Sequence, residues 1–226
     1  MTNKPINVLN HGLVRLIDYM GNDLSVIRSA RVSYDAELRT GEDAGKDEKL
    51  IDYLMKNRHT SPFESVQFTF EVKAPIFVFR QLHRHRTQSI NEVSARYTEL
   101  PDEYYIPEVS QITQQSVNNK QQRNDEVHPM AEQFQAAMTD QCTAAFNLYK
   151  RMLAQGCPRE LARGVLPVNT YSKMFTSMNL HNFFHLAGLR IHPHAQYEVK
   201  VFVEAMLELV EPIVPISVAA WKRYKS

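Results

Sequence analysis

The chain has 226 residues, 43% of them hydrophobic, and its 26 Lys and Arg against 25 Asp and Glu leave a formal charge of +1. Such a length and apolar fraction suit one large globular domain over residues 1–226. The neutral balance excludes a broadly basic binder of nucleic acid or membrane surfaces, so any anion site has to be local. Cys142 and Cys157 are too few for a metal or disulfide framework and are expected as reduced thiols. The N-terminal MTNKPINVLNHG has no long apolar core, and no segment runs to about 18 uninterrupted apolar residues. Neither a signal peptide nor a membrane span is therefore expected, and a cytoplasmic location is.

Residues 13–20 are partly apolar and suit an early strand, and Asn22 suits the cap of a helix from Asp23 toward Tyr34. The polar stretch from Thr40 to Lys46 reads as a loop, followed by a helix carrying Leu50, Ile51, Leu54 and Met55. HTSPFE, residues 59–64, breaks that pattern. Val66, Phe68, Phe70 and Val72 then alternate with polar residues, the mark of a strand with one buried face. Pro75 suits the first turn of a helix on which Val78, Phe79 and Leu82 make an apolar stripe. Arg80, Gln81, Arg84 and His85 fall on adjoining turns of that helix, and 86–96 reads as a polar loop. Residues 108–128, rich in Gln and Asn, read as a surface loop. A long amphipathic helix follows, its apolar side formed by Met130, Phe134, Met138, Phe146, Tyr149 and Leu153, with Gly156 and Pro158 ending it. Leu180, Phe183, Phe184 and Ala187 mark another helix. The last long one runs from about Ala195 to Leu209, stopped by Pro212 and Pro215. These elements make an α+β fold with few strands and many helices.

No Gly-x-Gly-x-x-Gly, Walker loop, Gly-x-Ser-x-Gly elbow or His-Glu-x-x-His helix is present, and there are only 7 glycines. Phosphates must therefore be gripped by side chains, and arginine does this best, with a charged planar fork of donors. The stretch RHRTQSINEVSARY, residues 84–97, concentrates three arginines around the single carboxylate Glu92. A helix C-terminus accounts for one such cation. It does not account for all of them, and one carboxylate cannot balance them.

That stretch resembles the signature of flavin-dependent thymidylate synthases: Arg-His-Arg, seven residues, Ser, then Arg-Tyr, with Arg84, His85, Arg86 and Ser94 at its defining positions. HTSPFE (59–64), APIFVFRQ (74–81), ARGVLP (162–167) and LRIHPHAQYE (189–198) are similar to family blocks in the family's order. The resemblance implies a family-specific α+β fold, a mixed sheet flanked by helices. It implies reductive methylation of dUMP to dTMP, with 5,10-methylenetetrahydrofolate as carbon donor and FAD reduced by NADPH. It also implies a homotetramer with flavin at subunit interfaces.

By the same resemblance Ser61, Arg84, His85, Arg86, Glu92, Asn179, Leu180, His181 and His185 contact FAD, with His59 as a neighbour. Gln81, Leu82, His83, Arg84, Glu92, Val93, Ser94, Ala95, Arg96, Arg163 and Arg190 form the dUMP site. Arg190 is similar to the residue that activates the uracil ring. Many family members carry glycine where this chain has Ala95, a small residue that still lets backbone N–H groups approach a ligand. Arg96, Ser94 and Gln81 suit a phosphate dianion, and a guanidinium at the ring's N3–O region stabilises the charge that develops there. Neither cysteine lies near the arginine block, and no base is placed to activate Ser94, so no protein nucleophile is expected.

Two other readings stand beside this one. The pairs His83/His85, His181/His185 and His192/His194 have spacings that metal ligands use, although His181 and His185 share a helix face with Gly188 on which a flat ring fits equally well. The arginine-rich loop also suits a noncatalytic nucleotide- or RNA-binding protein, which the neutral net charge disfavours.

Overall fold

The computed structural model describes residues 4–36 and 39–225, so the first three residues of the N-terminal stretch lie outside it. Its architecture is α+β. A five-stranded sheet is built from β1 (Ile6–Val8), β2 (Gly12–Met20), β3 (Gln67–Pro75), β4 (Ser89–Glu92) and β7 (Tyr171–Asn179) in the order β1-β2-β3-β7-β4. Its four ladders are antiparallel. The segment expected as a surface loop, 108–128, instead contains a separate ladder of β5 (Thr113–Gln115) and β6 (Arg123–Val127). Polar side chains hide such a hairpin from a pattern search, because neither face is buried in the core.

The alternation in β3 does what its period requires. Phe68, Phe70 and Val72 are fully buried, and across the ladder they face Met178, Thr176 and Met174 of β7. The opposite face is polar and ion-paired: Glu71 meets Arg15 at 2.8 Å, and Lys73 meets Glu103 at 2.6 Å. Ile17, on the face opposite buried Val14 and Leu16, is 42% exposed, and the register shifts there, between Leu16 and Asp18. Gly12 allows a close approach in the sheet, since a Cβ there would lie 2.5 Å from the Val8 carbonyl oxygen and 2.9 Å from that of Lys73.

Helices cover the apolar face. α1 (Asp23–Arg31) starts at Asn22, which accepts from the Leu24 N–H at 3.0 Å while Ser25 Oγ accepts from the Asn22 N–H at 3.1 Å. It passes into a 3₁₀ turn at Val32–Tyr34. α2 (Ala44–Lys56) and α6 (Leu180–Arg190) follow the expected stripes. α7 (Tyr197–Val210) begins two residues later than expected. Phe183 of α6 sits over Phe68 and Phe70, with ring centroids 6.4 and 6.0 Å away.

Pro215 does not simply stop α7. It opens α8 (Pro215–Tyr224), where a proline at the first position costs no hydrogen bond. The buried Asp23 carboxylate accepts from the Ile216 and Ser217 N–H groups at 2.8 and 3.0 Å, so the cap of α8 comes from α1. α4 (Ala131–Ala154) packs Phe146 and Tyr149 in one cluster with Ala162 of the short α5 (Arg159–Ala162), and Cys142 and Ala145 are buried too, whereas Met130, Phe134 and Met138 at its start stay exposed.

Candidate active site

α3 (Ile76–Leu82) is short, and Pro75 is not in its first turn but is the last residue of β3 and the helix cap. Arg84 and His85, expected on the helix, lie in the turn beyond it. The Leu82 carbonyl accepts both from the His85 N–H at 3.0 Å and from Gln88 Nε2 at 2.7 Å, which ties the turn to the helix end. The expected loop 86–96 contains β4, held to β7 by the pairs Ile90↔Thr176 and Glu92↔Met174.

The turn brings His85 to the end of α6. Arg190 Nε donates to His85 Nε2 at 3.0 Å, Nη1 to Gln81 Oε1 at 3.3 Å and Nη2 to the Gln81 carbonyl at 3.4 Å. All three acceptors are neutral, and half-burial lowers the Arg190 pKa. A guanidinium drawn partly out of water without a carboxylate is a site prepared for an anion. His85 meets His185 edge-on at 6.0 Å.

Burial first, then the charges of Arg190 and His185, bring the His85 pKa from 6.5 down to about 4. Neutral His85 therefore accepts at Nε2 and carries its proton on Nδ1. Because the folded pKa lies below the ordinary one, this group's share of stability is present above pH 6.5 and is lost as pH falls toward 4. An NMR titration of the imidazoles is expected to show His85 neutral at pH 6 and titrating near 4; titration at an ordinary histidine value would contradict the neutral acceptor.

Residues 92–95 line a cavity of about 500 Å³ with Arg80, Arg163, Gly164 and Ser172. Glu92, Val93, Ser94 and Ala95 of the signature and Arg163 of the ARGVLP block, all expected by resemblance as substrate contacts, thus meet in one place. Gln81 does not join them there, since it holds Arg190. Arg96 lies outside the lining, in an exposed pair with Glu160 at 3.5 Å. Arg80 was not anticipated. It lies on the exposed side of α3, inside the matched block APIFVFRQ, and only that place and its charge could have marked it. Leu82 and Leu180 are core residues at 1% and 0% exposure, so their side chains face away from any ligand. The Leu180 N–H donates to the Val66 carbonyl at 2.9 Å. His83 is packed on the Phe79 ring, with Nε2 3.3 Å from Met174 Sδ.

A second cleft, about 430 Å³, is lined by His181, His185, Gly188, Phe184, Trp221 and Arg58. Gly188 faces open space, and Phe184 stacks on Trp221 at 5.4 Å. Asn179 is the cap of α6, its Oδ1 accepting from the Asn182 N–H at 2.8 Å. Ser61 is exposed on the turn Ser61–Ser65, and exposed His59 packs against Tyr53 at 5.7 Å. Arg84 and Arg86 are exposed and enter no ion pair among the described residues.

Among the described residues no three His, Cys, Asp or Glu converge as a metal-holding group. Cys142 is buried beside Asn169, Cys157 lies near the Pro158 carbonyl, and neither lines the two spaces described above. No helix among the described residues is long and apolar enough to cross a membrane.

Two further neighbours of this site escaped sequence reasoning. Gln81 Nε2 donates to Gln196 Oε1, and Gln196 Nε2 donates to Glu198 Oε2 at 2.9 Å. Both residues fall in the LRIHPHAQYE block, but no residue type or spacing assigns them to Gln81, more than a hundred positions away.

The family model described as "Thymidylate synthase complementing protein" matches residues 15–216. A flavin-dependent thymidylate synthase from Treponema denticola is 42% identical over 98% of this chain and 83% of its own length. One from Thermus thermophilus is 43% identical over 97% of this chain and 78% of its own. The crystal structure of a UMP/dUMP methylase PolB from Streptomyces cacaoi bound with 5-Br dUMP superposes with a TM-score of 0.88 at 35% identity, covering 97% of this chain and 98% of that one. With the signature, the arginine-lined cavity and the fold all in agreement, the chain belongs to the flavin-dependent thymidylate synthase family.

Proposed function

We propose that this chain methylates dUMP to dTMP, with 5,10-methylenetetrahydrofolate as carbon donor and FAD, recharged by NADPH, as the reductant. The observation that carries this reading is an Arg190 with only neutral partners one residue along α3 from an arginine-lined cavity, since Gln81 holds Arg190 and Arg80 lines the cavity. One nucleotide is then taken to span both places, its phosphate at one and its base at the other.

In this reading Arg80, Arg163, Ser94 and the backbone beside Ala95 take the phosphate. Arg96 joins them by releasing Glu160, an exposed partner that contributes little. Arg190 faces the uracil. For C5 to attack, the ring must carry enolate-like negative charge on its N3–O region, and a fixed guanidinium stabilises that charged form without rearranging. Neutral His85 and Gln81 hold that guanidinium while leaving its charge uncompensated. No cysteine attacks the ring in this scheme.

The residues fit a flavin. Uncompensated Arg84 and Arg86 suit its diphosphate, and the cleft at His181, His185 and Gly188 suits a flat ring. Ser61, Asn179 and the turn at His85 complete the set. Bound there, FAD supplies the hydride equivalent. The exposed stripe Met130, Phe134 and Met138 supports assembly into a homotetramer with flavin at subunit junctions. We place the enzyme, a single domain, in the cytoplasm.

The test is anaerobic. The purified yellow protein is reduced with NADPH and given dUMP and methylenetetrahydrofolate, and dTMP is expected to form as flavin is reoxidised. A colourless protein that binds neither flavin nor dUMP sinks the reading, and steeply salt-dependent oligonucleotide binding would replace it with the RNA-binding one. Arg163→Ala is expected to weaken dUMP binding about ten- to a hundredfold by calorimetry, the effect of losing one charge-assisted phosphate contact. Unchanged affinity would remove Arg163 from the site.

A further inference from the structure

Arg190 is the end of a longer chain of contacts. Gln196 and Glu198 are linked to it through Gln81. Glu198 is 3% exposed, and its Oε1 accepts from the Tyr105 hydroxyl at 3.2 Å and from Arg123 Nη2 of β6 at 3.1 Å. Its Oε2 is left for Gln196. Burial, reinforced by Glu198, raises the Tyr105 pKa, which keeps that hydroxyl a donor.

The chemistry of these groups fixes their direction. A carboxylate paired with an arginine offers acceptors only, whereas a primary amide offers one acceptor and one donor end. Glu198 therefore requires the Nε2 end of Gln196. That leaves Gln196 Oε1 facing Gln81, which must present its own Nε2. Gln81 Oε1 is then turned to Arg190 Nη1 as an acceptor. If either amide is reversed, an N–H group points at the guanidinium and Arg190 is pushed from its place.

We infer that Glu198 and Gln196 are positioning residues for Arg190, a buried carboxylate setting the orientation of two successive amides so that the guanidinium meets an acceptor. This rests on the activity proposed above for Arg190. It also makes a prediction that a role in stability alone does not make. Glu198→Gln keeps the acceptor for Tyr105 and Arg123 but places an N–H opposite Gln196 Nε2. Adding Gln196→Glu restores the pattern, because the carboxylate then at position 196 accepts from the new amide at position 198 on one side and from Gln81 on the other.

The experiment uses the full chain with 15N-labelled arginine. It reads hydrogen exchange of the Arg190 Nε–H, assigned by its absence in Arg190→Lys, together with kcat and KM for dUMP. E198Q is expected to speed that exchange and to lower kcat, each about tenfold, the effect of about 1.4 kcal/mol. KM is expected to change less than about threefold, because a contact strengthened only in the transition state acts on kcat. The double variant Q196E/E198Q is expected to return both to within about threefold of wild type, a coupling that independent sites do not give.

A double variant no better than E198Q, or exchange unaffected by E198Q, overturns the proposal. Gln196→Ala, at an exposed position, decides the matter if E198Q fails to fold: faster Arg190 exchange supports the relay and unchanged exchange ends it. Should the wild-type chain turn over no dUMP, the activity reading falls alone, since the exchange rates of the same proteins still decide whether the relay exists.

Discussion

Arg190→Ala is expected to purify yellow and folded yet to lose about a hundred- to a thousandfold in kcat, the range found when one preorganised stabiliser of transition-state charge is removed. The side chain lies at the last turn of α6 and makes no ion pair among the described residues, so its removal leaves no orphaned carboxylate behind. What is left is a neutral His85 and a Gln81 acceptor, both within reach of water. Lysine at the same position keeps a cation but loses the three-way grip on His85 Nε2, Gln81 Oε1 and the Gln81 carbonyl. The measurement is single-turnover formation of dTMP with flavin content recorded alongside. Normal turnover by the alanine variant removes Arg190 from the chemistry. A colourless variant would instead place it in cofactor binding.

Phe183→Ala is the largest expected loss of stability. Its ring is fully buried and lies 6.0 Å from Phe70, 6.4 Å from Phe68 and 6.3 Å from Phe184. Truncating such a ring costs about 3–5 kcal/mol, which for a chain of this size lowers Tm by about 6–20 °C. The effect reaches the site as well. Phe183 anchors the helix that carries His181, His185 and Arg190, so the expected variant is both less stable and looser where flavin would lie. Thermal melting by circular dichroism gives the first result. A loss under about 1 kcal/mol would mean that the packing closes over the gap without cost.

Legibility in the sequence tracked burial pattern. The strand at Phe68 and Phe70 could be read because one face is wholly apolar and the other polar. Its neighbour β7 could not: in YSKMFTSMN the inward Thr176 is polar and the outward Phe175 is apolar, so the period of two is scrambled. β4 consists of Ser, Ile, Asn and Glu at a sheet edge, with little to bury, and its residue types argue for a turn. Pro215 reads equally as the end of one helix and the start of another. At the site, the signature marked the residues that surround the arginine-lined cavity. It did not mark Arg80, or the amides behind Arg190, because a hydrogen bond between positions 81 and 196 leaves no local trace.

β4 has one further consequence. It is laddered to β7 along a single side only, so nothing on its outer side guards its register. Two fasteners do that instead: Thr176 Oγ1 donating to Gln88 Oε1 at 2.6 Å just before the strand, and the Val93 N–H donating to the Lys173 carbonyl at 2.9 Å just after it. A slip by one residue would reverse every side chain from Ser89 to Ala95, carrying Ser94 out of the arginine-lined cavity. The alignment of the signature is thus shared between one backbone bond and a threonine, Thr176, that lies outside every matched block.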